Sequence, residues 1–196
     1  MITFIRGLLV SGLAALALAA CSSDMSSQQP TAMAGTEQPK LAFSVADIRI
    51  GSTFRAETTA PHVEALLPVT LEDRLADWAR SNLDARGGSA RGLFVITDAS
   101  LVRTELDKDV GVPGLTRYPQ TIRFDASIAA TFEVLDEFGA QKAYTISKVT
   151  MGRTMTSFES DAARDILLRD LADAILKQFD AEMEKGIRAN VSRFLL

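Results

Sequence analysis

The chain has 196 residues, 47% of them hydrophobic and 23% charged, with a formal net charge of −4 at neutral pH. A mildly acidic surface argues against nucleic acid or anionic lipid headgroups as main partners, because both would repel it. One histidine and one cysteine in the whole chain leave almost nothing from which to build a zinc site or a catalytic Ser-His-Asp or Cys-His pair. No metal, no cofactor and no enzymatic activity are therefore expected.

The N-terminus reads as an export signal. Arg6 gives a positive start, and Gly7 to Ala20 follow as an uncharged run rich in Leu and Ala. That run is shorter than the roughly 20 residues a membrane-spanning helix needs, and small residues close it, which is the layout of a secretory signal peptide over residues 1–20. Leu18-Ala19-Ala20-Cys21 is similar to the lipobox, the processing site of bacterial lipoproteins. The resemblance implies diacylation of the Cys21 thiol, cleavage in front of it and anchoring to the periplasmic face of a Gram-negative membrane. Stable anchoring takes two or more acyl chains. Ser22 stands where some enteric bacteria use Asp to retain lipoproteins in the inner membrane, so the outer membrane is the expected location. Removing Arg6 with the signal takes the formal net charge from −4 to −5. A lipidated Cys21 leaves no thiol for a disulfide, and the core alone must hold the fold.

Residues 21–40 are rich in Ser, Gln and Pro with few large apolar groups. Such a segment buries too little surface to offset its ordering entropy, and it reads as a lipidated, flexible tether. Residues 41–196 suit one periplasmic domain. Its first expected strand is Leu41 to Ile50, with alternation that shifts after Ala46. A long connection over 51–69 follows, with an apolar patch at Val63, Leu66 and Leu67. A helix starts after Thr70, which pairs with Asp73 as a cap. Leu71, Leu75, Trp78, Ala79 and Leu83 share one face at helical spacing, and Gly87-Gly88 are expected to stop it.

Leu93 to Thr104 is the second expected strand, and Thr121 to Leu135 the third. In the third, Ile122, Phe124, Ala126, Ile128, Ala130, Phe132 and Val134 line one face and polar residues the other. Asp136-Glu137-Phe138-Gly139 is a hairpin turn, and Ala140 to Met151 returns as the fourth strand. A capping box at Thr156 and Glu159 opens the last helix. Its apolar stripe runs Leu168, Leu171, Ala172, Ile175, Phe179, Met183, Ile187, Val191 and Phe194. At 1.5 Å per residue this helix would reach about 55 Å. Either it breaks near Gly186, or its last turns project. The expected fold is α+β, in the order β-α-β-β-β-α: a mainly antiparallel four-stranded sheet packed by two helices, the last one long.

Few residues point to chemistry. His62 lies in a Pro-flanked loop near Glu64 and reads as a surface or packing residue. Gly87 to Gly92 are glycine-rich, but a helix precedes them and a strand follows, the reverse of a phosphate-binding loop. Glu105, Asp107 and Asp109 lack a calcium-loop pattern and read as a solvated acidic loop. Two features carry more weight. Glu105 to Gln120 is a connection long enough to be functional, and Val110, Val112, Leu115 and Tyr118 make it a candidate partner-binding loop. The C-terminal end, with Ile187, Val191 and Phe194, is a candidate docking element, for its own domain or for a partner.

Ile128-Ala129-Ala130-Thr131-Phe132-Glu133-Val134-Leu135-Asp136, its hairpin partner and the helix opening at Ser160 resemble the lipopolysaccharide-assembly lipoprotein, which plugs a β-barrel translocon. Arg74-Leu75-Ala76-Asp77-Trp78-Ala79 is similar to the Trp-containing helix of auxiliary lipoproteins of lipid-transport ABC systems. The Trp78 helix, the Gly-rich turn, the Phe94 strand and the segment from Ile187-Arg188 to Phe194-Leu195 together resemble a family of uncharacterised proteobacterial lipoproteins over most of residues 61–196, which implies no activity. The expected function is that of a non-enzymatic, membrane-anchored envelope lipoprotein binding a protein partner in the assembly or transport of outer-membrane components. The alternative is a carrier of a lipid or other hydrophobic ligand in an apolar groove. The sequence leaves the oligomeric state open.

Overall fold

The computed structural model describes residues 40–106, 121–157 and 159–196. The expected signal, Cys21 and nearly all of the tether lie outside the described residues. In chain order the elements are β1 (Leu41–Phe43), β2 (Ile48–Ser52), α1 (Leu71–Asn82), β3 (Leu83–Ala85), β4 (Arg91–Leu106), β5 (Thr121–Leu135), β6 (Gln141–Thr156) and α2 (Asp161–Asn190). The main sheet has the order β2-β4-β5-β6. It is antiparallel except where β2 runs parallel to β4. The fold is α+β, with two helices and a long final one, as the pattern of elements requires.

The segment expected as one strand over Leu41 to Ile50 is two. β1 pairs in parallel with β3 in a separate two-stranded sheet, and β2 edges the main one. The chain changes sheets where its alternation shifts. Ala46 N–H donates to the Ala90 carbonyl at 2.7 Å, and Asp47 accepts from Gly92 N–H at 2.8 Å.

Thr70 caps α1, its hydroxyl accepting from Asp73 N–H at 3.1 Å. The helix ends at Asn82 rather than at Gly87-Gly88, because Leu83 to Ala85 leave it to pair with the backbone of β1. The glycines serve the next turn. Gly88 has φ +132°, and a Cβ there would lie 2.8 Å from the Ser44 carbonyl oxygen. Glycine is the residue that permits both the conformation and the close approach.

β5 has the bounds and faces expected of it, with Phe124, Ala126, Ile128, Ala130, Phe132 and Val134 buried. In β4 the core face changes parity, from Phe94 and Ile96 to Ala99 and Leu101, because the register slips by one residue between Ile96 and Asp98. Both helices pack on this one face. Trp78 of α1 meets Phe94 of β4 at 5.7 Å between ring centroids and Phe179 of α2 edge-on at 5.3 Å. Its indole N–H donates to Asp180 at 2.7 Å, and Arg74 pairs with Asp173 nearby.

α2 starts later than the expected capping box. Ser160 is the N-cap, accepting from Ala163 N–H at 3.2 Å. Thr156 N–H does donate to Glu159 at 2.9 Å, but Thr156 is the last residue of β6. The pair therefore closes the strand-to-helix turn instead of the helix. The helix is an unbroken 30 residues, about 45 Å long, with neither a break at Gly186 nor projecting last turns. Gly186 faces Thr145 of β6, and a Cβ in its place would collide with the Thr145 hydroxyl. Glycine here lowers the helix onto the sheet. A 3-10 turn over Ser192–Phe194 follows, and the chain end then runs beside β1. Ser44 N–H donates to Phe194 at 2.8 Å and Leu196 N–H to Ala42 at 3.0 Å. No helix among the described residues is long and apolar enough to cross a membrane.

Gly186→Ala should destabilise the domain by about 1–3 kcal/mol through overpacking, although alanine favours helix by nearly 1 kcal/mol. Urea unfolding of Gly186→Ala alone and with Thr145→Ala measures this. The double variant should recover most of the loss, and an equal loss in both would show that the contact is not the cause.

Candidate functional site

Each candidate residue has a definite place or lies outside the described residues. Leu18, Ala19, Ala20 and Cys21 lie outside, as do Val110, Val112, Leu115 and Tyr118 of the candidate loop, and Asp107 and Asp109. That connection starts two residues later than expected, since β4 continues through Glu105 to Leu106, which pairs with Thr121; the rest of it, 107–120, lies outside the described residues. Ile187 and Val191 are fully buried in the core, and Phe194 packs against it half-buried. The C-terminal segment thus docks on its own domain, between α2 and β1.

The two faces of the main sheet differ. The core face is filled: Phe94, Phe124, Ile128, Phe132, Ile175 and Phe179 are all buried. On the opposite face no described helix or strand covers Leu93, Val95, Thr131, Tyr144, Ile146 and Lys148, which are half-buried or exposed. Tyr144 is 53% and Ile146 61% exposed. In β6 the usual alternation is inverted over residues 144–147. Thr145 and Ser147, the polar residues, face the core at 3% and 4% exposure, while their apolar neighbours face outward. The close approach of α2 at Gly186 explains the inversion, since small hydroxyl-bearing side chains fit beneath a helix that sits that low. The sequence signal was present in the string Tyr-Thr-Ile-Ser but needed the position of α2 to be read.

A cleft of about 400 Å³ opens at the far end of the sheet, beside the start of α2. Val63, Leu66, Ile122, Phe124 and Met155 form its apolar part, and Arg103, Glu159, Asp161 and Arg164 its charged part. The two arginines are already paired, Arg103 with Glu105 and Arg164 with Asp161 and Asp165. Among the described residues no group of three or more His, Cys, Asp or Glu is arranged to hold a metal ion.

His62 stands between two carboxylates on the edge of β4. Its Nδ1 is 2.9 Å from Glu64 Oε1, and its Nε2 is 3.5 Å from Glu57 Oε2. Glu64 is 6% exposed. Its Oε1 also accepts from Leu101 N–H at 3.1 Å, while Oε2 has no partner. Around this cluster the connection is stitched to β4: Val63 N–H donates to Leu101 at 2.9 Å and Arg103 N–H to Pro61 at 2.9 Å. The hydrogen bond to Glu64 raises the His62 pKa above its ordinary value, with Glu64, Glu57 and Asp98 adding attraction against the opposing effect of burial.

No protein-family model and no curated protein matches this chain. Among solved structures, the 2.35 Å crystal structure of a minor lipoprotein from Acinetobacter baumannii superposes with a TM-score of 0.37 at 14% identity, over 72% of this chain and 93% of that one. A superposition this loose does not establish a shared fold or a shared role.

The His62 cluster sets a sign for pH dependence. A raised folded-state pKa contributes stability that is fully present below the unfolded value of about 6.5 and is lost as pH rises through the folded value. Wild-type unfolding midpoints should therefore fall over that window, and those of His62→Gln should change less. Equal pH profiles for the two proteins would remove the imidazolium from the account.

Proposed function

We propose that the chain is a non-enzymatic lipoprotein, anchored through Cys21 to the periplasmic face of a Gram-negative membrane, with Ser22 favouring the outer one. There it binds a protein partner in the assembly or transport of outer-membrane components. The anchor half of this reading is supported by the Arg6 start, the apolar run to Ala20 and the sequence Leu18-Ala19-Ala20-Cys21. The partner half is carried by one observation: among the described residues no helix or strand covers the second face of the main sheet, on which Tyr144 and Ile146 turn outward. Monomeric soluble domains rarely leave large side chains grouped on an open surface without a use for them.

The alternative, a carrier of a hydrophobic ligand, has less support. The space between α2 and the sheet is occupied by Phe124, Ile128, Phe132 and Phe179, and the cleft at the start of α2 includes the ion-paired Arg103, Asp161 and Arg164 in its lining.

Membrane fractionation of Cys21→Ser tests the anchor. The variant should leave the membrane fraction while its unfolding midpoint, measured on the released protein, stays that of wild type. Retention of Cys21→Ser in the membrane would defeat the lipoprotein reading.

A further inference from the structure

The two edges of the main sheet are finished differently. On one side the terminal strand is the five-residue β2, and the flank of β4 past its end is filled: Thr53 N–H donates to Ile96 at 2.9 Å, and residues 61–63 bond to Leu101 and Arg103. β6 is the terminal strand on the other side and pairs with β5 alone. Among the described residues no further backbone bond reaches its outer edge between Gln141 and Met155. An unprotected edge offers a row of N–H and C=O groups to any extended chain that can approach it.

The edge is long and lacks the usual blocks. Its 16 residues contain no proline, and its register with β5 is regular from Thr156 to Ala143. It also has a sign. Gln141 to Thr156 contain Lys142, Lys148 and Arg153 and no acidic residue, in a chain whose net charge is −4. Lys142 is paired with Asp136. Lys148 and Arg153 are exposed and make no ion pair among the described residues. Tyr144 and Ile146 precede Lys148 on the open face, and on the helix side the buried Ser147 hydroxyl has no hydrogen-bond partner among the described residues.

A second copy of the chain does not fit. Ala143, Thr145, Ser147 and Val149 are buried although they belong to an edge strand, so α2 stands directly over β6. Pairing β6 with its own copy would bring two such helices to about the 4.8 Å spacing of strands, where packed helices need about 8–10 Å. A lone extended strand brings no helix with it. We propose that the outer edge of β6 is a strand-addition site for an extended segment of a partner protein, one that alternates acidic with apolar residues. Main-chain bonds would supply the attachment, Lys148 would meet the acidic side chains on the open face, and Arg153, opposite Phe124 on the helix side, would add general attraction.

This inference rests on the partner-binding reading above, and the test separates the two. The full chain carrying Cys21→Ser is titrated with a short peptide alternating Glu with Val, followed by amide NMR. Shifts should concentrate on residues 141–156 and their β5 neighbours. Lys148→Glu with Arg153→Glu, checked for an unchanged circular dichroism spectrum, should weaken the peptide by at least about tenfold and should instead admit a Lys/Val peptide. Shifts centred elsewhere, equal binding of both peptides by wild type, or a dimer in sedimentation that the peptide dissociates would each overturn the inference. So would a double variant that retains an envelope protein as well as wild type does, which leaves the partner reading standing. Failure of the wild-type lipoprotein to retain any envelope protein would overturn both.

Discussion

Trp78 joins the sheet and both helices at one point. Its ring lies between Phe94 on the sheet and Phe179 on α2, and its N–H is anchored on Asp180. A buried indole needs both an apolar setting and a polar partner, and here the second helix supplies both. α1 is a short helix with few other contacts to α2, so the Trp78 cluster and the Arg74–Asp173 pair fix where it sits. The chain has no disulfide among the described residues to do this work, and aromatic packing takes that role.

The tight seating of α2 has an opposite effect on each face of the sheet. Below the helix, Gly186 and Thr145 let backbones approach closely and leave room only for small side chains on β6. At this place the larger side chains, Tyr144 and Ile146, are turned outward. The uncovered face with Tyr144 and Ile146 is thus a direct result of how the helix packs, and not a separate decoration of the surface. The same closeness places α2 above the sheet edge, which limits what can come alongside it to a thin, extended object.

The elements with strong periodicity were legible from sequence. β5 alternates cleanly because both of its neighbours are strands and one face is buried along its whole length. The stripe on α2 from Leu168 to Val191 is equally clear because the helix packs on the sheet throughout. The misread places are those where tertiary contacts override local pattern. Leu41 to Ile50 alternates like one strand, but its halves bond to different partners. Leu83 continues the helical face of α1, yet its backbone is drawn off by β1. Gly186 has the composition of a break, and only the position of Thr145 reveals its use. For the candidate site, His62 with Glu64 two residues on was visible in the sequence, whereas Glu57 and the burial of Glu64 depend on the chain folding back along β4. The outward face of β6 was hidden because Thr145 and Ser147 are buried between the outward Tyr144, Ile146 and Lys148.

The bonds between the chain end and β1 have a mechanical side. On the proposed reading, any pull from the membrane reaches the domain at Leu41 and runs first into β1. That strand is gripped on one flank by β3 and on the other by Phe194 to Leu196, so tension loads several hydrogen bonds in parallel and does not peel them one at a time. Phe43 packs on Phe132, and the stretch of β5 from there to Thr121 spans about 35 Å. The strands therefore carry Ile122, at the cleft beside α2, well away from the clamped strand.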